Sequence, residues 1–312
     1  MLISSVIKTE ALCLGFFKCG ISKAERVSPE KELEYTEWLR SGGNATMDYL
    51  NRNTEKRFDP RLLVPGVRSI VSVALNYKPA KNIPDGELKL ASYSLGQDYH
   101  FVVKALLHQL AAAIGVTEYR VFCDSAPILE RYWAEHSGIG WIGRNDQLII
   151  PHAGSMFFLG ELFVMDDVDV YDSPCKNRCG TCHKCIDACP TGCLGQDRFD
   201  AEKCLSYQTI ENRGGLSELA KDKIGDTFYG CDLCMKACPW NRFAVPTSVK
   251  EFLPTDDLLQ MTCADWRNLT VEQYLRLFKN SAVKRAKYEG LKRNIAAVLD
   301  KDKQLHRHDE RS

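Results

Sequence analysis

The sequence predicts a mixed fold: an α/β first half of the α+β kind, a small cysteine-rich module after it, and a short helical C-terminal segment. Three observations predict this. Strand-like runs near residues 68–77, 118–123 and 157–165 alternate with stretches of helical period, as in chains that pack helices on a sheet. Ten of the fourteen cysteines then crowd into residues 175–238. Beyond residue 270 the apolar spacing is helical again. The expected boundaries are 1–167, 168–245 and 246–312.

In chain order, Val6, Ile7, Leu12, Leu14, Phe16 and Phe17 give loose helical spacing over residues 4–19. A second helix starts after Ser28, with Pro29 in its first turn and Glu30, Glu32 and Glu34 near the positive end of the dipole, and stops at Ser41-Gly42-Gly43. Residues 49–61 carry Arg52, Lys56, Arg57 and Arg61, and read either as a grip on an anion or as a charged loop. Residues 68–77 form a buried strand between Pro65-Gly66 and Pro79, and 78–87 form a loop. Val103, Leu106, Leu107, Leu110 and Ile114 share one face of a helix over 100–114. A strand at 118–123 leads into Asp124-Ser125-Ala126-Pro127, then a helix through Leu129, Tyr132 and Trp133 to Gly138. A glycine-punctuated turn to Asn145 precedes strands at 147–150 and 157–165. In the tail, 271–278 and 282–299 are helical, with Leu291, Ile295, Val298 and Leu299 on the apolar stripe.

Forty-one basic and forty-one acidic side chains cancel, so no global field draws the chain to nucleic acid. From residue 276 onward, however, eleven Lys or Arg face five Asp or Glu. That basic segment suits a phosphate backbone, and a solvated helix face is the competing reading. No stretch approaches the ~18 apolar residues that span a bilayer. The N-terminus shows neither a basic n-region nor a small-residue cleavage site. The expectation is a cytoplasmic monomer away from membranes.

The cysteine run carries the chemistry. Cys179, Cys182, Cys185 and Cys189-Pro190 follow Cys-x2-Cys-x2-Cys-x3-Cys-Pro, the bacterial ferredoxin spacing for cubane iron–sulfur clusters. Cys231, Cys234 and Cys238-Pro239 repeat its end without the leading cysteine, and Cys204 is placed to supply it. Because the fourth cysteine of such a run ligates the other cluster, a ferredoxin-like module follows. Its first cluster takes Cys179, Cys182, Cys185 and Cys238, and its second takes Cys189, Cys204, Cys231 and Cys234. Zinc is the competing reading of Cys-x2-Cys pairs, and the Cys-Pro endings disfavour it. Cys175 and Cys193 are left over; Cys13, Cys19, Cys123 and Cys263 read as packed thiols.

An electron carrier alone does not need a large α/β domain before its clusters. The letters of a dinucleotide loop occur at Gly138, Gly140 and Gly143, but after a helix rather than a strand, so that reading is rejected. Asp98-Tyr99-His100 continues with Phe101, Val102 and Val103, so an Asp-x-His-x-x-Gly cobalamin signature is absent.

Several stretches carry a family resemblance. Residues 124–131 beginning Asp124-Ser125-Ala126-Pro127, residues 138–144, 154–162 and 204–211, Tyr229-Gly230-Cys231-Asp232 and Cys238-Pro239-Trp240-Asn241 resemble epoxyqueuosine reductases, in order, from Lys56-Arg57 to Arg293-Asn294. The resemblance implies a cobalamin domain similar to flavin nitroreductases joined to the double-cluster module. It implies reduction of the epoxide of epoxyqueuosine in tRNA, with electrons from an external flavodoxin- or ferredoxin-type donor passing through two 4Fe-4S clusters to cobalamin. Asp124 matches the family's proton donor, and a donor at neutral pH is expected to have its pKa raised by burial. Without the resemblance, an Asp before Ser-Ala-Pro reads as a helix cap. Arg57, Tyr93, Asn145 and Gln147 match the cobalamin pocket, and Ser206, Cys231 and Asp232 the seam between cluster module and corrin. Tyr207, Glu211, Lys284 and Arg285 are candidates for the tRNA side. Longer members carry further helical repeats in that region. Two other readings stay open: a reductive dehalogenase-like cobalamin and iron–sulfur enzyme, and a ferredoxin-type carrier with an added binding domain.

Overall fold

The computed structural model describes residues 1–195 and 198–309, with side chains as far as residue 301. Its centre is a four-stranded sheet of β1 (Lys18–Lys23), β2 (Ser69–Asn76), β3 (Tyr119–Phe122) and β4 (Phe157–Val164), in the order β1-β2-β4-β3 with every neighbour antiparallel. The helices that bear on the site are α1 (Ser4–Cys13), α2 (Pro29–Arg40), α3 (Tyr99–Ala113), α4 (Glu130–His136), α5 (Leu205–Ile210) and α6 (Lys287–Asp309); further helices, among them Glu218–Lys223 and Val271–Leu277, and shorter turns lie between them.

Alternation along the strands sorts side chains to two buried faces. Val71, Val73, Leu75, Leu162 and Val164 pack against Ile7 and Ala11 of α1 and Val103, Leu107 and Leu110 of α3. Ile70 and Phe163 face the other way, onto Tyr132 and Trp133 of α4 with Val27 and Phe58. Gly160 lets α3 approach, since a Cβ there would meet Val103 Cγ1 at 2.5 Å.

The expected helix over 4–19 ends at Cys13; Gly15 turns the chain at φ +94°, and residues 18–23 become an edge strand. That strand carries no β-branched run of its own, and its ladder with β2 supplies what propensity does not. Residues 49–61 are neither plain loop nor one element. They fold as short helical turns, including Thr54–Phe58 and Pro60–Leu63, that seat Phe58 in the core.

A second core joins distant parts of the chain. Ile83, Leu88, Leu90 and Leu95 pack with Leu205, Ile210, Phe228, Trp266, Phe278, Leu291, Ile295 and Val298. Lys89–Leu90 pairs in parallel with Thr227–Tyr229. The apolar stripe of α6 is therefore core, and part of the segment read as a loop anchors it. Asn294 is fully buried in this seam, where its amide donates to the carbonyls of Thr209 (2.8 Å) and Phe228 (2.9 Å). Those two carbonyls would otherwise lose their partner away from water. Among the described residues no helix is long and apolar enough to cross a membrane.

Candidate active site

The start of α3, the loop after β3, residues 49–57, α5 and residues 279–285 enclose a cavity of about 1930 Å³. Small-molecule pockets usually span about 300–1,000 Å³, so this one has room for a large cofactor and part of a substrate together.

Asp124 stands on its wall with the backbone in the left-handed region, φ 59°, which costs a non-glycine residue on the order of 1–3 kcal/mol. Three contacts hold it. Its N–H donates to the Glu130 carboxyl. The Tyr99 hydroxyl donates to its Oδ2 at 2.5 Å, and His100 Nε2 lies 3.3 Å from the same oxygen. The other ring nitrogen of His100 is 2.7 Å from Asp98 Oδ1. Asp98, not Asp124, is the helix cap here: it precedes α3 and accepts the His100 N–H at 3.0 Å, whereas α4 is preceded by Leu129 with no side-chain cap.

This geometry reverses the expected electrostatics of Asp124. Burial pushes its carboxyl up, but hydrogen bonds from His100 and Tyr99 and the charges of His100 and Arg131 outweigh that and hold it below its ordinary value. Burial likewise pushes His100 down, and the carboxylates of Asp124 and Asp98 overcome it, raising the imidazole to about 9. Burial and the neighbouring Asp124 drive the Tyr99 phenol far up, so it keeps its proton and donates. Beneath the loop, burial and the Asp124 charge raise Glu130 to about 7, and burial beside Glu130 pushes Glu161 of β4 well above its usual range. Two such buried carboxyls cannot both ionise, so the pair holds a proton.

The other expected residues divide between places. Arg57, Tyr93, Ser206, Tyr207, Glu211, Lys284 and Arg285 border the large cavity together with Asp124. Arg57 is buried, with Nε lacking a partner. The Tyr93 hydroxyl donates to that of Tyr229 at 3.3 Å. Tyr207 is buried, its hydroxyl 2.6 Å from Thr46 Oγ1. Glu211 grips Arg285 through two hydrogen bonds of 2.8 and 2.7 Å. Asn145, by contrast, borders a smaller cavity with its amide nitrogen buried and unpaired. Gln147, Cys231 and Asp232 are on neither wall; Asp232 accepts the Ser92 N–H at 2.7 Å and so ties the two parts of the chain together.

That smaller cavity, of about 310 Å³, is lined by Cys179, Cys182, Cys185 and Cys238. Among the described residues no three His, Cys, Asp or Glu side chains converge for a single metal ion. Trp141 Nε1 donates to Cys179 Sγ at 3.5 Å. Cys231 lies within electrostatic reach of Cys204 and Cys189, and Cys234 of these two and Cys231. Cys185 is also within reach of Cys234, so the two sets adjoin. Cys204 also borders the large cavity. Cys193, left over in the spacing, sits with its Sγ 3.3 Å from Cys189 Sγ.

Sequence reasoning missed Tyr99, His100, Glu130 and Glu161. A signal existed for two of them: His100 stood in a motif set aside as an incomplete cobalamin signature, and Glu161 is the one charge in the apolar run 157–165.

Two family models match the chain. One, for a 4Fe-4S double cluster binding domain, covers residues 178–241. The other, described as Epoxyqueuosine reductase QueG, DUF1730, covers residues 57–125. An epoxyqueuosine reductase of Cellulophaga algicola is 45% identical over 298 residues, covering 94% of this chain and 96% of the relative. The fold is similar to a crystal structure of epoxyqueuosine reductase with a tRNA-Tyr epoxyqueuosine-modified stem loop (TM-score 0.86, 27% identity, 94% of this chain and 80% of that one). It is also similar to a Bacillus subtilis epoxyqueuosine reductase whose catalytic loop is swung out of the active site (TM-score 0.84, 26% identity, 94% and 80%).

The Glu130 contact predicts which change frees the Asp124 loop. A hydrogen bond to a carboxylate contributes about 1.5–3 kcal/mol, so Glu130→Ala should speed amide exchange at Asp124 by on the order of 10–100-fold, while Glu130→Gln, which keeps an acceptor, should change it far less. Hydrogen exchange read by mass spectrometry over residues 123–130 checks this; equal protection in Glu130→Ala and wild type would contradict it.

Proposed function

The chain belongs to the epoxyqueuosine reductase family, and from that premise we propose how its two cavities carry out the reaction. It is an oxidoreductase that reduces the epoxide of epoxyqueuosine in tRNA to queuosine, and its double-cluster domain binds two 4Fe-4S clusters. The observation that carries the mechanism is that Cys204 and Asp124 border one cavity. A ligand of the second cluster and the proton donor then face the same reaction space.

Cys179, Cys182, Cys185 and Cys238 would hold the first cluster, and Cys189, Cys204, Cys231 and Cys234 the second. Clusters bound there would accept electrons one at a time from a flavodoxin- or ferredoxin-type carrier. The large cavity fits cobalamin: it exceeds ordinary ligand pockets in volume, and the unpaired Arg57 Nε is a buried donor awaiting a polar partner. Cobalamin, when bound, supplies the strongly reducing centre that delivers electrons to an epoxide carbon.

The protein's residues do the rest. Arg57, Tyr93 and Ser206 hold the cofactor from the cavity wall. Asp124, kept in its left-handed turn by Tyr99, His100 and Glu130, gives a proton to the epoxide oxygen as it opens. Asn145 borders the first cluster's cavity with an unpaired amide nitrogen that could donate to a cluster there, and its Oδ1 accepts the Gln147 N–H at 3.3 Å. Asp232 fastens the Cys231 segment to Ser92. At the cavity rim, Lys284 and Arg285 meet tRNA phosphates, Glu211 orients Arg285, and Tyr207 steadies the wall through Thr46. The enzyme works as a monomer in the cytoplasm.

Asp124→Asn should retain both cofactors by absorbance yet lose turnover of epoxyqueuosine tRNA by about 10²–10⁴-fold, the usual contribution of a general acid. Full activity in that variant would remove Asp124 from the chemistry. Replacing Lys284 and Arg285 with Glu should weaken tRNA binding and flatten its dependence on log salt by roughly one to two units, one for each lost phosphate contact. An unchanged affinity and slope would make this face mere solvated surface.

A further inference from the structure

Reducing an epoxide to an alkene breaks two carbon–oxygen bonds. The oxygen collects two protons and leaves as water while two electrons enter the carbon framework. On the functional reading above, Asp124 is the carboxyl that serves this oxygen, and it holds one proton at a time. Its surroundings also favour its ionised form at rest. Each turnover must therefore bring protons to this carboxyl, and a proton store in contact with it shortens the path from solvent.

His100 has that position. Its Nε2 lies 3.3 Å from Asp124 Oδ2 and its Nδ1 2.7 Å from Asp98 Oδ1, so each ring nitrogen addresses one carboxylate. Asp98 is fixed as the α3 cap, and the imidazole stacks on Tyr99 with ring centres 4.2 Å apart. The ring is oriented from both sides. We propose that His100 is the proton store behind Asp124, its imidazolium passing the Nε2 proton to Asp124 Oδ2 for each proton that Asp124 then gives to the substrate oxygen.

In each transfer the Nε2–H bond breaks and an Oδ2–H bond forms, and the neutral ring keeps its Nδ1 proton on Asp98. With 27% of its side chain accessible, the ring takes its next proton from solvent. Two deliveries supply the two protons of the departing water; the two electrons come through the clusters from the one-electron carrier. His100 acts only through Asp124 and is a positioning and relay residue.

The charged form of the ring has support. Burial and the positive end of α3 oppose it, while Asp98 and Asp124 outweigh them and set its titration at about 9. Tyr99 adjoins it on α3 and Lys104 follows one turn on, its Nζ donating to Ser125 Oγ at 3.3 Å. Beyond Asp124 lie Arg131, Arg285 and Tyr93. The raised value means that the proton is held through neutral pH and lost as pH rises through about 9.

The test compares turnover of epoxyqueuosine tRNA against pH in wild type, Asp98→Asn and His100→Ala, with nitrogen-15 NMR titration of the His100 ring in the same full-length proteins without substrate. The wild-type ring should titrate near pH 9, and kcat should fall over the same range. Asp98→Asn should lower both midpoints by about one unit, as expected on losing a bonded carboxylate. His100→Ala should lose on the order of 10–100-fold in kcat with KM for tRNA unchanged, and regain part of it with added imidazole. Wild-type kcat in His100→Ala, a ring titrating near the ordinary value of about 6.5, or an Asp98→Asn profile that does not follow the ring would each overturn the relay alone. A wild type that binds its cofactors but leaves epoxyqueuosine tRNA intact would instead overturn the functional reading, and the relay with it.

Discussion

A carboxylate held in a left-handed turn is the constraint around which the reaction space is arranged. Nothing in the Asp124 backbone favours φ 59°, so the conformation persists only because Tyr99, His100 and Glu130 bond to that residue from two different helices. Those helices are in turn fixed by the sheet, α3 on one face and α4 on the other. The sheet positions Asp124 without contributing the chemistry, and the buried Glu161 on β4 extends that support into the core.

The second dependence is between the two cores. The Asp232–Ser92 hydrogen bond, the Tyr93–Tyr229 contact and the pairing of Lys89–Leu90 with Thr227–Tyr229 all cross from the first half of the chain to the cysteine module. Gly230 permits that closeness: its φ is +73°, and a Cβ there would stand 2.5 Å from the Ala91 Cβ. Because the seam is tight, Cys204 can border the cavity that Asp124 also borders. On the proposed mechanism, that shared border lets electron and proton delivery meet in one space.

Legibility in the sequence followed the range of the interactions. The strands β2 and β4 could be read because both faces are buried and their apolar runs are continuous. The cluster spacing is local and so could be proposed from the sequence; in the fold Cys179, Cys182, Cys185 and Cys238 line one cavity, while Cys193 sits against Cys189. The edge strand β1 could not, since it exists by pairing with β2 rather than by composition. His100 and Asp124 are 24 residues apart and meet only when α3 and the end of β3 are side by side. That is why the sequence suggested an Asp124 raised by burial, whereas the folded chain surrounds it with donors. The capping role also belonged to another aspartate, Asp98. The proposed place of Asp124 in catalysis rests on resemblance, and its partners were visible only in the geometry.

One chain is proposed to carry two clusters and a corrin in neighbouring sites, with Cys204 on the wall of the corrin's cavity. Metal analysis of anaerobically reconstituted protein incubated with cobalamin tests it most directly. Two cubanes and one corrin predict about eight iron and about one cobalt per chain. About four iron, or no cobalt retained at micromolar protein, would contradict the account.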